Sequence, residues 1–104
     1  MKTYAGREFD VYEPSGQELR IHWNIQEVPA FGDAEGTQWE ADEALCSIYD
    51  DRATLISKII HSVYTLDDEI ATINNQSTKP EQYEAYQAFR AQAKALADGW
   101  INRG

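Results

Sequence analysis

Residues 18–28, ELRIHWNIQEV, carry the most regular hydrophobic pattern of this 104-residue chain. The apolar side chains occupy alternate positions: Leu19, Ile21, Trp23 and Ile25. Successive side chains of a β-strand point to opposite faces of its sheet, so a period of two residues predicts one apolar and one polar face. We therefore expect a half-buried strand here.

The segments on both sides of this strand predict further strands. Residues 2–13 alternate loosely and run into Pro-Ser-Gly, which is typical of a turn, so they predict a hairpin with residues 18–28. Residues 29–37 are rich in Pro, Gly and Asp and predict a loop. Alternation resumes in residues 37–49, which predict a third strand.

The hydrophobic period lengthens after Asp50 to the spacing of an α-helix. Apolar residues recur every three or four positions in residues 50–64, in residues 66–74 and in a longer segment that runs to about residue 102. The pattern therefore predicts three amphipathic helices in the second half of the chain.

Strands followed by helices is the chain order of an α+β fold. We predict one domain over residues 1–104, in which residues 1–49 form an antiparallel sheet of about three strands and residues 50–104 form three helices that cover one face of it. The predicted core takes the apolar positions of both patterns: Leu19, Ile21, Trp23, Ile25, Ile56, Ile59, Ile60, Ile70, Ile73, Tyr86 and Phe89.

Three consecutive acids, Asp67, Asp68 and Glu69, are the most prominent candidate for chemistry. Consecutive helical residues point about 100° apart, so these carboxylates cannot all face one metal ion. Thr65 lies three residues before Asp68, which is the spacing of a capping box, and acids in a first turn interact favourably with the helix dipole. The triplet therefore predicts a helix N-terminus.

The start of the third helix shows the same spacing. Thr78 lies three residues before Glu81 and predicts a second capping box. Pro80 falls within the predicted first turn, where its missing N–H needs no partner. We therefore expect a threonine cap at both helix starts.

The charge of the chain is strongly acidic and uneven. The formal net charge is −9, and residues 1–50 hold three Lys or Arg against eleven Asp or Glu. Such a surface repels phosphate backbones and anionic lipid heads, so we expect neither nucleic-acid nor membrane binding. The acidity serves solubility, or it mimics the charge of DNA and docks on a basic partner.

Cysteine content and hydropathy indicate the cellular compartment of the protein. Cys46 is the only cysteine, so an intramolecular disulfide is excluded and a reducing compartment is expected. The start of the chain lacks the apolar run of a signal peptide, and no segment has the roughly 20 apolar residues that span a bilayer. We expect a cytoplasmic protein, or one that is assembled into something made in the cytoplasm.

Cys46, His22 and His61 raise the question of a metal site or a thiol-dependent enzyme, which would require the three to converge. They are scattered singly, whereas zinc ligands come in short pairs. We predict surface or boundary positions for both histidines and a buried, inert position for Cys46. The sequence lacks phosphate-binding, hydrolase and zinc-protease motifs. We therefore predict no catalytic, cofactor-binding or metal-binding residue, and no enzyme.

Aromatic side chains are numerous for so short a chain, at 12%. Aromatics at helical spacing form core first, but Tyr and Trp also anchor protein interfaces. The predicted interface residues, which would contact a partner or a second copy, are Tyr12, Trp39, Tyr83 and Trp100.

Two segments carry a family resemblance: residues 53–75, ATLISKIIHSVYTLDDEIATINN, and residues 81–98, EQYEAYQAFRAQAKALAD. They resemble the C-terminal half of small prophage-encoded proteins of gut bacteria, and the second segment is similar to phage tail-fibre and tail-assembly proteins. The matching positions are Tyr64, Asp68, Ile70, Asn74, Tyr83, Tyr86, Gln87, Phe89, Arg90, Lys94 and Ala97. The resemblance implies a phage-associated accessory or structural protein whose partner is a phage structural protein. The alternative, from the charge, is an acidic inhibitor of a basic host protein.

Overall fold

Four strands followed by three helices make up the computed structural model, which describes residues 1–30 and 36–103. The elements are β1 (Lys2–Ala5), β2 (Tyr12–Ser15), β3 (Glu18–Pro29), β4 (Thr37–Ser47), α1 (Arg52–His61), α2 (Leu66–Asn74) and α3 (Pro80–Ile101). The α+β class is confirmed, with one strand more than expected. The elements form two compact units, Met1–Tyr49 and the part that begins at Asp50. That both units belong to one domain stays a prediction.

The sheet is antiparallel with the order β1-β4-β3-β2. The predicted hairpin of residues 2–13 with β3 is right only for β2, whose two-residue loop to β3 begins at Gly16 with a φ of 61°. The prediction was wrong for β1, which pairs with β4 at the opposite edge. Residues 6–11, here called the strap, must therefore cross the sheet from one edge strand to the other. The central residues of the predicted loop, 31–35, lie outside the described residues.

A β-bulge interrupts β3 between Trp23 and Gln26, where Asn24 and Ile25 together oppose one residue of β4. Asn24 has a φ of 52°, a left-handed conformation that asparagine tolerates better than most residues. The extra residue reverses the alternation, so Gln26 lies on the face of Trp23. Ile25 is consequently half-buried, and its placement in the core was wrong.

In the helical unit, α1 and α2 both contact α3. The buried side chains come from α1 and α3: Leu55, Ile59, Ile60, Tyr86, Ala93, Ala97 and Trp100. Ile56 and Phe89 are half-buried, like Ile25, so their placement in the core was wrong as well. The remaining core predictions hold for Leu19, Ile21, Trp23, Ile59, Ile60 and Tyr86, and they were wrong for Ile70 and Ile73, which are exposed.

The two predicted capping boxes have different outcomes. At α2, Thr65 and Asp68 exchange the two side-chain to backbone hydrogen bonds of the box, as predicted. At α3, the N-cap is Lys79, which makes no side-chain cap bond, so the second box was wrong. The Thr78 hydroxyl instead donates to the carbonyl of Asn75, since Pro80 occupies the first helical position and sets the cap one residue later than expected.

A membrane-crossing helix would have to be both long and apolar, and none of the helices in the described part of the chain meets both conditions.

Candidate functional site

The most unusual surface of the helical unit is an apolar strip on α2. Leu66, Ile70 and Ile73 are spaced to share one side of the helix, and 63%, 49% and 42% of their surfaces are exposed. These three residues are called the α2 stripe. Surface aliphatic residues scattered singly are ordinary, but an aligned set on one helix indicates a binding surface.

Glu69 explains why α2 presents this stripe to solvent. Its Oε1 accepts a hydrogen bond from Nε2 of His61 at 2.7 Å, and its Oε2 accepts one from the hydroxyl of Tyr86. The Glu69 carboxylate thus joins α2 to α1 and to α3. These two hydrogen bonds are here called the tie. At about 100° per residue, the α2 stripe lies roughly 40–100° around the helix from Glu69. The two hydrogen bonds therefore fix the rotation of α2 about its axis, and at this rotation the stripe is exposed.

Burial and hydrogen bonding shift the pKa values of Tyr86 and Glu69, which form this tie. The pKa of Tyr86 is raised to about 12, first by burial of its ring and then by its hydrogen bond to Glu69. The same hydrogen bond, supported by the one from His61, lowers the pKa of Glu69. The ring of Tyr64 meets that of Tyr86 edge to face, with centroids 5.1 Å apart, and so helps to exclude water. The tie therefore holds a neutral phenol against an ionised carboxylate at neutral pH.

We expect a Tyr86 titration step near pH 12 in the near-ultraviolet absorbance of phenolate. Because the folded chain keeps this proton above the ordinary value of 10.0, the stabilisation is complete below pH 10 and is lost as the pH rises through 12. A Tyr86→Phe variant should lack the step, while a Tyr83→Phe variant should keep it. Glu69→Gln should lower its midpoint only in part, since burial is the larger cause. A titration that is identical in Tyr86→Phe and wild type would contradict this assignment.

A surface pocket of about 250 Å³ lies beside the tie. Its polar lining is Ser57, His61, Glu69 and Arg90, and its apolar lining is Ala53, Ile56 and Ile60. Nδ1 of His61 lies 3.3 Å from the hydroxyl of Ser57, one helical turn away. With both carboxylate oxygens of Glu69 already accepting hydrogen bonds, the arrangement holds helices together, and we assign no reaction to it.

The acid triplet lies at the N-terminal end of the α2 stripe. Asp68 is occupied by the cap, Glu69 by the tie, and Asp67 is an exposed acid. The sequence of α2, LDDEIATIN, contains no basic residue. The triplet is thus a capped helix start, as predicted, and it also places negative charge beside an exposed apolar surface.

His22 lies in a second polar cluster, within the sheet unit, and its prediction as a surface or boundary residue was wrong. It is 1% exposed and the ring of Phe9, from the strap, packs on it at a centroid distance of 4.7 Å. Nδ1 of His22 lies 2.8 Å from the carbonyl oxygen of Asp10, and Nε2 lies 3.0 Å from Oε2 of Glu43. The strap therefore buries a polar face that the alternation pattern assigned to solvent.

Within the sheet unit, the thiol of Cys46 and the imidazole of His22 do not come together as a metal or thiol site would require. His22 pairs with Glu43 across β3 and β4, while Cys46 pairs with Leu19. Neighbours of odd and even number on one strand point to opposite faces, so the His22 and Cys46 side chains lie on opposite sides of the sheet. Cys46 is buried, as predicted, and His61 is in the helical unit. Over residues 1–30 and 36–103, no group of three His, Cys, Asp or Glu side chains could hold a metal ion.

The four aromatic residues predicted for an interface differ in exposure. Tyr12, Trp39 and Tyr83 are half-buried, and the amide of Gln87 donates to the hydroxyl of Tyr83 at 2.8 Å. Trp100 is 7% exposed, with the Arg103 guanidinium 3.7 Å from its ring centroid, so it offers little surface. Their role in an interface stays a prediction.

Sequence reasoning missed the α2 stripe as a site because it assigned these aliphatic residues to the core. One signal was present in the sequence. The α2 segment has only nine residues and three of them are acids, so its single aliphatic strip has little room for core contacts. Comparison of this chain with protein-family models, curated proteins and solved structures finds no match.

Proposed function

We propose that this chain is a non-enzymatic accessory protein that binds another protein through the α2 stripe. The observation that carries the proposal is the exposure of Leu66, Ile70 and Ile73 along one side of a helix that Glu69 holds from a neighbouring position. Covering an aliphatic side chain completely contributes about 1.5–3 kcal/mol. About half of each side chain is already covered, so the stripe contributes the apolar part of the binding free energy, and other contacts of the complex contribute the rest.

The partner in this proposal is a phage structural protein, and the complex serves tail assembly or becomes part of the virion. This part of the proposal rests on the resemblance of residues 53–75 and 81–98 to prophage-encoded and tail-associated proteins. The α2 stripe falls within the first of these segments, and Ile70 is one of its matching positions.

A second candidate function is inhibition of a basic host protein by charge mimicry. The observation that favours it is the acidic sheet unit, whose exposed acids include Glu8, Asp10, Glu18 and Glu27. Binding of this kind is electrostatic, so it weakens steeply as salt is raised. Apolar binding through the α2 stripe persists in high salt.

Affinity capture from a lysate of the induced host tests the proposal, with the tagged chain at low and at high salt. We expect a phage structural protein to be retained in high salt by the wild type, to be lost at least about tenfold in Ile70→Asp, and to be kept in Ala71→Asp. Ala71 is an exposed α2 residue about 100° from Ile70, so its replacement adds the same charge off the stripe.

Two outcomes would contradict the proposal. Equal retention by the Ile70→Asp and Ala71→Asp variants would show that the α2 stripe is not the binding surface. Capture of a basic DNA-binding host protein that is released by salt would instead support charge mimicry.

A further inference from the structure

The strap of the sheet unit closes on a buried histidine, and its hydrogen bonds depend on the protons that this histidine holds. We infer that the strap is a proton-operated latch. It stays closed while the pair of His22 and Glu43 holds two protons, and it opens locally when the pair loses one as the pH is raised. The latch lies entirely in the sheet unit, so it is independent of the α2 stripe.

Three contacts hold the strap on His22. The backbone N–H of His22 donates to the carbonyl of Val11 at 2.8 Å, and the ring of Phe9 packs on the imidazole. The third contact joins Nδ1 of the imidazole to the carbonyl oxygen of Asp10, also at 2.8 Å. A carbonyl oxygen can only accept, so this contact requires a hydrogen on Nδ1.

The other ring nitrogen of His22 requires a second proton. Nε2 lies 3.0 Å from Oε2 of Glu43, a hydrogen-bond distance that needs one hydrogen between the two atoms. A neutral imidazole beside an ionised carboxylate holds only one hydrogen. If that hydrogen is on Nδ1, two lone pairs face each other; if it is on Nε2, the bond to Asp10 is lost. The closed strap therefore needs both protons.

The strap is the part that yields when one proton is missing. Glu43 belongs to β4, which is paired on one side with β1 and on the other with β3. Residues 6–11 form neither helix nor strand. Displacement of the strap therefore breaks fewer backbone hydrogen bonds than displacement of β4, and it uncovers the imidazole.

Other charged groups face the pair from the neighbouring segments. Glu13 of β2 lies 3.5 Å from Nδ1 of the imidazole and pairs with Arg7 of the strap at 2.9 Å. Arg20 of β3 lies 3.7 Å from the carboxylate of Glu43. The amino group of Met1 donates to the backbone carbonyl of Glu43 at 3.4 Å. Glu13 and Arg20 thus each attract the opposite charge of an imidazolium and carboxylate pair.

Proton counting gives the direction of the effect. Free imidazole and glutamate side chains titrate near 6.5 and 4.3, so above about pH 7 an open strap leaves the pair with one proton. The closed strap still holds two. Opening then releases up to one proton, and its equilibrium constant rises by up to about tenfold per pH unit. Between about pH 5 and 6 both states hold two protons, and the strap stays closed.

Amide hydrogen exchange of the full chain, followed by NMR, tests the latch. Rates are expressed as protection factors, which removes the intrinsic pH dependence of exchange. We expect the protection factor of the His22 amide to fall by up to about tenfold per pH unit between about pH 7 and 9. The amide of Ile48, which donates to Gln17 at 3.0 Å in the same unit, should keep its protection. The ring nitrogen shifts of His22 should show the loss of one proton over the same range.

Glu43→Gln is the matched variant. A glutamine amide N–H can donate to Nε2 of a neutral imidazole while Nδ1 still donates to the strap, so the His22 amide should keep its protection across this pH range. Glu13→Gln should keep the wild-type slope, because Glu13 is not the partner of Nε2. The amino group of Met1 is present in both variants, so a difference between their slopes excludes it as the cause.

Three outcomes would overturn the latch. The first is a His22 protection factor that does not change with pH in the wild type. The second is an equal slope in Glu43→Gln, and the third is a parallel fall at Ile48, which would show that the whole sheet unit opens. The lysate capture decides the proposed function separately, since it concerns the α2 stripe.

Discussion

Replacement of Glu43 by alanine should lower the free energy of unfolding by about 3 kcal/mol, whereas Glu43→Gln should lower it by less than about 1 kcal/mol. Glu43 pairs with the buried side chain of His22, and the protons that this pair holds explain the difference. The carbonyl of Asp10 can only accept, so Nδ1 of His22 must carry a hydrogen. One further proton then lies between Nε2 of His22 and Oε2 of Glu43. Removal of the carboxylate leaves Nε2 buried without its partner.

A glutamine at position 43 keeps the hydrogen bond in a neutral form. Its amide N–H can donate to Nε2 while Nδ1 continues to donate to Asp10, so both ring nitrogens stay satisfied. Two other charges lie close to the pair: Arg20 is 3.7 Å from Glu43, and Glu13 is 3.5 Å from His22. The Arg20 contact with the carboxylate would be weakened in Glu43→Gln, which accounts for the small loss expected.

Urea unfolding followed by circular dichroism measures these differences. The matched control is Glu18→Ala, since Glu18 lies on the same strand pair with 58% of its side chain exposed and only a long contact to Arg20. Exposed positions of this kind change stability by about 0.5 kcal/mol or less. If Glu43→Ala and Glu18→Ala cost the same, the buried pair adds no stability beyond that of an exposed acid.

The second large effect is expected at Ile59. Ile59→Ala should lower the free energy of unfolding by about 3 kcal/mol, because the side chain is fully buried and its removal leaves a cavity in the core of the helical unit. Ile73→Ala should change it by less than about 1 kcal/mol, because 42% of Ile73 is exposed and alanine is the better helix former. Both changes delete the same atoms near the end of a helix.

Thermal and urea unfolding of the two variants measures this contrast. Equal losses in the two variants would mean that α2 is buried in solution, and the α2 stripe would then no longer be a binding surface. A loss at Ile59 alone supports the exposure on which the proposed function depends. The Ile73→Ala variant also serves the lysate capture, since it removes one member of the stripe without adding charge.

Much of the fold could be predicted from local pattern. The alternation in residues 18–28 and 37–49 predicted β3 and β4, and the helical periods predicted α1, α2 and α3. The prediction of a capping box at Thr65 was correct, because both hydrogen bonds of such a box join residues that are only three positions apart. The bulge at Asn24 was not foreseen, since a single residue in a left-handed conformation breaks the alternation without a distinct sequence mark.

The candidate site could not be predicted in the same way. The period of α2 predicted an apolar side for Leu66, Ile70 and Ile73, and a period alone does not say whether a core or solvent lies opposite. The hydrogen bonds from His61 and Tyr86 to Glu69, over 8 and 17 residues, turn that side outward. Likewise, His22 belongs to a polar side by alternation, and the strap covers it through Phe9 and Asp10.

The sequence alone therefore established the α+β class, the places of the longer elements, the start of α2 and the acidic net charge. These depend on neighbours within a few residues or on composition. The tertiary structure decided which polar side is buried and which apolar side is exposed. Those outcomes depend on contacts between residues far apart in the chain, and burial is a property of the whole set of contacts rather than of any one segment.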